Sequence, residues 1–121
     1  MKFHLQTPAG TLVTGLGEGW IKVGATEYRQ NCVLTPDGVE TGFAPGGLEG
    51  LHEEDFTRLL ALRPEIVLLG TGATQRFLHP RVTLPLSAAH VGVEVMDTRA
   101  ACRTFNILVG EGRRVIAALI L

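Results

Sequence analysis

The chain has 121 residues, 45% of them hydrophobic and 19% charged, and a formal net charge of −1. That length suits one domain with one core, and the composition is that of an ordinary globular fold. A near-neutral balance with one Trp and one Tyr gives no electrostatic footprint for nucleic acid or for an anionic membrane surface.

The first third reads as β structure punctuated by glycine. Phe3–Gln6 and Thr11–Thr14 are short runs separated by a Pro8-Ala9-Gly10 turn. Trp20–Val23 follows, then a Gly24-Ala25 turn, then Glu27–Thr35 as a further strand. Gly15, Gly17 and Gly19 suggest a phosphate loop, but neither a Gly-Lys-Ser/Thr nor a helical pattern follows, so they read as turn glycines. Thr35–Gly50 is rich in Gly and Pro and reads as a surface connection with one short strand at Val39–Phe43.

From His52 the pattern changes. Phe56, Leu59, Leu60 and Leu62 recur at helical spacing, with Glu53, Glu54 and Asp55 in the first turn and Arg63 at the end, both matched to the helix dipole. Pro64 is expected to stop this helix. Ile66–Leu69 is a short apolar run of the kind found in buried parallel strands, and it leads into the Gly/Thr loop Gly70–Thr74. Phe77–Ser87 is a polar, Pro-containing stretch, with a short helix expected around Ser87–His90. Val91–Met96 reads as another strand. Asp97 or Thr98 then caps a helix with Ala101, Phe105 and Leu108 on one face, ended by Gly110 and Gly112. The last apolar run, Val115–Leu121, is seven residues long; it suits a buried strand and is far short of the roughly 20 residues of a membrane-spanning helix.

This order predicts one α/β domain over residues 1–121. It has a mixed sheet with parallel strands at its centre, an N-terminal β-hairpin unit, and helices packed on one face. Ile66–Leu69, Val93–Met96 and Val115–Ile120 are expected as central strands buried on both faces.

In such sheets ligands gather beyond the carboxyl ends of the strands. Two such ends are visible, Leu69 into Gly70–Thr74 and Met96 into Asp97–Arg103. If the strands are neighbours, Thr71, Thr74, Asp97 and Thr98 line one crevice. Arg99 and Arg103, four apart on one helix face, are placed to hold a carboxylate or phosphate there. The same residues also suit a helix cap, a strand exit and a solvated arginine face. Elsewhere no catalytic constellation emerges. His4, His52, His79 and His90 lack metal-ligand spacing, and Ser87, the one serine, has no nucleophile-elbow setting. Cys32 and Cys102 have no CxxC partner, and no signal peptide opens the sequence. Reduced thiols and a soluble, cytoplasmic protein are therefore expected, with Cys102 as a small core residue.

The run Met96-Asp97-Thr98, then Ala100-Ala101-Cys102-Arg103-Thr104-Phe105-Asn106, Leu108 and Glu111-Gly112-Arg113-Arg114-Val115 resembles the C-terminal half of a small family of unknown function. Its mitochondrial members are assembly factors of NADH:ubiquinone oxidoreductase, respiratory complex I. Gly70-Thr71-Gly72 after an apolar strand, and Tyr28 before one, also look like that family. The resemblance covers nearly the whole chain. It implies a three-layer α/β fold around a mixed sheet and a role in assembly with partner proteins, and it brings no catalytic residue, metal or cofactor. This chain differs from the mitochondrial members in lacking a targeting extension and in Phe105, where the aromatic is often Tyr. A bacterial or archaeal member is the better match. The leading reading is therefore a non-enzymatic interaction or assembly protein. The alternative is a small-molecule or anion-binding protein, with enzymatic chemistry open, using the crevice between Gly70–Thr74 and Asp97–Arg103.

Overall fold

The structure, a computed structural model, describes residues 10–121 and the backbone of Lys2–Leu5. The Pro8-Ala9 part of the expected first turn lies outside the described residues. Nine strands and three α-helices follow in chain order: β1 Lys2–Leu5, β2 Val13–Gly17, β3 Trp20–Val23, β4 Thr26–Tyr28, β5 Cys32–Thr35, β6 Gly38–Thr41, α1 Glu53–Leu59, β7 Ile66–Thr71, α2 Pro80–Ala88, β8 Gly92–Met96, α3 Thr98–Gly110 and β9 Val115–Ile120.

Alternation along β7 and β9 builds two cores at once. Val115, Ala117 and Leu119 point with Ile66 and Leu68 into one apolar cluster, while Ile116, Ala118 and Ile120 point with Val67 and Leu69 into another. A strand apolar on both faces needs a layer on each. On the first face the layer is α3, through Ala101, Cys102 and Phe105, together with Val13, Ile21, Val23 and Tyr28 of β2–β4. On the second it is α1 and α2, through Phe56, Leu59 and Leu86. Helices therefore cover both faces of the main sheet, which corrects the expectation of one helical face. The three-layer, mixed-sheet α/β architecture is as expected.

The main sheet runs β1-β6-β5-β9-β7-β8, and β2-β3-β4 form a second sheet. The pairs β9–β7 and β7–β8 are parallel and the remaining pairs antiparallel. β7 and β9 are central, as expected, but β8 is an edge strand. Val93, Val95 and Met96 are half-buried and Glu94 is exposed, and among the described residues no strand lies beyond β8 to cover that side. The expected strand Glu27–Thr35 also divides. β4 ends at Tyr28 in the small sheet and β5 begins at Cys32 in the large one. Asn31 fixes the crossing: its amide donates to the Ala44 carbonyl at 2.9 Å and its carbonyl accepts from Leu121 N–H at 2.8 Å.

α1 begins where the Asp55 carboxylate accepts the His52 N–H at 2.8 Å. It tightens into a 3-10 turn over Leu60–Leu62 and ends with Arg63 in the left-handed region, one residue before Pro64. α2 is longer and earlier than the short helix expected near Ser87. His79 caps it, accepting from Arg81 N–H at 3.1 Å, and Pro80 stands where its missing N–H costs nothing. Opposite the crevice end, a charged clip aligns β7 and β9. Glu65 accepts from Arg113 and from the Arg114 N–H, and Arg114 pairs with Asp37 at 2.8 Å. These hydrogen bonds and the neighbouring guanidinium hold the Glu65 carboxyl below its ordinary range.

One glycine sets how closely α3 sits on the sheet. A Cβ at Gly70 would stand 2.9 Å from Leu119 Cδ2, 2.9 Å from Thr98 Oγ1 and 3.0 Å from Thr98 Cα. Backbone is among those atoms, so the helix itself must shift. Gly70→Ala is expected to lower the unfolding free energy in urea titration by about 1–3 kcal/mol, the range for an overpacked core. Wild-type stability of the variant would show that α3 is not held against β7 at this point.

Candidate functional site

The carboxyl ends of β7, β8 and β9 meet the first turn of α3, and the hydroxyls there are heavily used. Thr98, 7% exposed, accepts the Gly72 N–H at 2.8 Å and donates to the Ile120 carbonyl at 2.5 Å, while its own N–H donates to the Gly72 carbonyl at 2.9 Å. One threonine thus ties α3 to the ends of two neighbouring strands. Thr71, 3% exposed, donates to the Thr74 carbonyl at 2.7 Å, lies 3.2 Å from the Met96 carbonyl, and accepts the Arg76 N–H at 3.0 Å. Asp97 is the cap, its carboxylate accepting from Ala100 N–H at 2.9 Å.

The candidate residues therefore fall into two groups. Thr71, Asp97 and Thr98 are brought together and hold the crevice in shape. Thr74, Arg99 and Arg103 are exposed, and among the described residues neither arginine has an ion-pair partner. At the start of α3, the N–H groups of Thr98 and Ala100 are already bonded, the latter to a carboxylate. That arrangement leaves little positive potential for a further anion.

Beside this junction lies a groove of about 510 Å³, lined by Leu16, Gly17, Glu18, Gly72, Arg99 and Leu121 among others. Arg103, one turn further along α3, does not line it. The β2–β3 turn and the last two residues escape a sequence reading, because they reach the groove only through the packing of the small sheet on α3. Gly17, at the end of β2, lets the Trp20 ring lie close over it: a Cβ there would fall 2.4 Å from the indole nitrogen, so the ring would have to move. A second cavity of about 340 Å³ lies beside α1, with Glu40, Phe43, His52, Asp55 and Arg58 in its lining. Among the described residues no group of three His, Cys, Asp or Glu is placed to hold a metal ion, and no helix is long and apolar enough to cross a membrane.

Phe77 is the feature the sequence conceals. The loop after β7 is pinned by the Thr71 hydroxyl, by Gln75 Nε2 donating to the Val95 carbonyl at 3.1 Å, and by an ion pair between Arg76 and Glu49. It holds the Phe77 ring 87% exposed. Exposure of one aromatic between two apolar-flanked turns has no local signal.

Neither cysteine is exposed to solvent. Both are free, Cys32 fully buried and Cys102 nearly so. Burial pushes the Cys32 thiol from 9.0 to about 12, with Cys102 nearby adding to the shift. Burial raises Cys102 to about 11, with Arg99 pulling slightly the other way.

Fold and site together define a small three-layer α/β protein with a mixed six-stranded sheet and a crevice built from backbone-bonded hydroxyls. The chain belongs to the family described as "Protein of unknown function (DUF498/DUF598)", whose model matches residues 13–120. It is 43% identical over 91 residues to NADH dehydrogenase (ubiquinone) 1 alpha subcomplex assembly factor 3 of Mus musculus, covering 74% of this chain and 49% of that protein. The chain thus spans about half the length of that relative. An uncharacterized protein of Rhodobacter capsulatus is 32% identical over 113 residues, covering 93% of this chain and 86% of its own length. The crystal structure of a Bordetella parapertussis protein superposes with a TM-score of 0.85 at 38% identity, covering 92% of this chain and 95% of that one.

Two outcomes follow from the geometry. Thr98→Val removes the acceptor for Gly72 N–H and the donor to Ile120, and is expected to cost about 2 kcal/mol in denaturant titration; a near-neutral result would mean water replaces both bonds. For the thiols, the fold keeps protons that the unfolded chain releases above pH 9. Their contribution to stability is therefore complete below pH 9 and declines as pH rises toward 11–12. Melts at rising alkaline pH should show this decline, and native protein should resist thiol reagents that titrate both cysteines after denaturation.

Proposed function

We propose that this protein is a non-catalytic interaction module of assembly type, related in role to the complex I assembly factors it resembles. It acts as one domain over residues 1–121, in the cytoplasm, on protein partners and not on nucleic acid. The observation that carries this reading is how the polar groups at the crevice are divided. Thr71, Asp97 and Thr98 are spent on bonds within the fold, while Arg99 and Arg103 are exposed and, among the described residues, without ion-pair partners, and Phe77 stands out in solvent on a pinned loop. Chemistry would need free groups converging inward. Here the free groups face outward, and aromatic and arginine side chains are the residue types enriched among interface anchors.

Thr74, Phe77, Arg99 and Arg103 are the contact residues of this reading. The second reading, a small-molecule or anion site, is favoured by the groove with Arg99 in its wall and Leu16 and Leu121 among its apolar lining. Single alanine variants separate the two. Arg103→Ala and Phe77→Ala are expected to melt within about 0.5 kcal/mol of wild type, as exposed substitutions do, and to lose native partners in affinity purification. Arg99→Ala tests the groove, through loss of a co-purifying small molecule. Unchanged recovery of partners with both Arg103→Ala and Phe77→Ala would overturn the interaction reading at this surface.

A further inference from the structure

Strand β8 closes one end of the main sheet, and among the described residues only β7 pairs with it. Backbone groups alternate sides along a strand. The Met96 carbonyl lies 3.2 Å from the Thr71 hydroxyl of β7, so Met96, Glu94 and Gly92 turn their backbone toward β7. Val91, Val93 and Val95 turn theirs outward. Two of the outward groups have partners from outside the ladder: Val91 N–H donates to the Leu86 carbonyl at 2.9 Å, and the Val95 carbonyl accepts from Gln75. Among the described residues no turn or side chain bonds the Val93 N–H, the Val93 carbonyl, the Val95 N–H or the Val91 carbonyl. Native edges are usually blunted by charged side chains, Pro, a bulge or a covering loop. Gly92–Met96 has no Lys or Pro and pairs with β7 in unbroken register, and its protection is limited to the Glu94 charge and the Gln75 contact at Val95.

We propose that this edge pairs with β8 of a second copy, antiparallel, with the two-fold axis at Val93. In that register the Val93 N–H and carbonyl exchange bonds with those of the partner's Val93. Val95 N–H donates to the partner's Val91 carbonyl, and the reverse bond completes the set. The four open groups on each edge are the ones used. The two that already have partners fall opposite each other, so closing the pair requires Gln75 to release the Val95 carbonyl and the Val91 N–H to share its bond with Leu86.

Side chains favour the same register. Val91, Val93 and Val95 pack on the α2 side of the sheet, and the axis at Val93 sets the two valine rows side by side, Val93 against Val93 and Val91 against Val95. On the other side Glu94 faces the partner's Gly92. An axis one residue further on would set Glu94 against the partner's Glu94, which is destabilising. α2 packs against β8 and leaves Leu84 55% exposed, and pairing brings the two α2 helices to one side of a joined sheet. This interface is separate from the arginine surface and holds whether or not that surface binds a partner.

Sedimentation velocity of the full chain over a range of concentrations tests the pairing, with circular dichroism as the control for folding. Wild type is expected to show a concentration-dependent dimer. Val93→Pro removes an outward donor without touching the β7 ladder, and is expected to weaken the dimer at least about tenfold. Gly92 has room for a side chain, its nearest neighbour being Ile66 Cγ1 at 3.7 Å. Gly92→Glu, set against the partner's Glu94, is expected to weaken the dimer roughly fivefold, and Gly92→Lys to tighten it by about as much. A monomer at millimolar concentration overturns the proposal, whether or not it captures an extended peptide. So does a dimer indifferent to a folded Val93→Pro variant. If that variant does not fold, equal affinities of the two Gly92 variants overturn it.

Discussion

The two strands at the middle of the sheet have no solvent face, and the architecture follows from that. Val67, Leu68 and Leu69 in β7, and Val115 through Leu119 in β9, are fully buried. Both sides must be roofed, and a chain this short has few elements to do it with. α1 and α2 roof one side, and α3 with the three-stranded sheet roofs the other. The second roof is the demanding one, because α3 must descend onto strand ends that carry unpaired backbone groups. Thr98 resolves this with one hydroxyl that serves both Gly72 and Ile120. Its close approach is possible only because Gly70 has no side chain. A small sheet then completes the layer, joined to α3 by Asn106, whose amide donates to the Val13 carbonyl at 2.8 Å and whose carbonyl accepts from Val13 N–H at 2.9 Å.

Much of this was legible in the residues, where local pattern and final environment agree. Trp20–Val23 and Val115–Ile120 have strand composition and become strands, and Asp97 is a helix cap in sequence and in space. Failures occur where the deciding contact is distant. Glu27–Thr35 reads as one strand because its residues suit one, and only Ala44 and Leu121, bonded to Asn31, show that the chain must change sheets there. Pro85 argues against a helix locally, yet Leu86 is fully buried among the residues of α1 and β8, and that burial outweighs the hydrogen bond Pro85 cannot make. Strand order is the least local property of all, and nothing in Val93–Met96 distinguishes an edge from a centre.

The crevice shows the same division between what local chemistry announces and what packing decides. Small hydroxyl residues and an acid at a helix start resemble a ligand cradle, because cradles and caps solve one problem, the satisfaction of exposed N–H groups. Here protein acceptors have solved it already. Thr71 and Thr98 are nearly inaccessible, and Asp97 puts a carboxylate where an anion would sit. Of the six residues singled out from the sequence, those with polar groups to spare are on the outside.

That outward placement also bears on how the family relation is to be used. The relative from Mus musculus is about twice the length of the matched region, so properties that depend on its remaining half do not pass to this chain with the fold. The family match over residues 13–120 spans the core and its closing contacts at Gly70, Thr98 and Asn106. The residues that would contact a partner lie on loops and on the open face of α3, where substitution costs the fold almost nothing. Stability therefore places little restraint on Phe77, Arg99 or Arg103. A large aromatic held in water by three separate loop contacts, at Thr71, Gln75 and Arg76, brings the fold no burial in return. In the interaction reading proposed above, burial of this ring against a partner is what its exposure would serve.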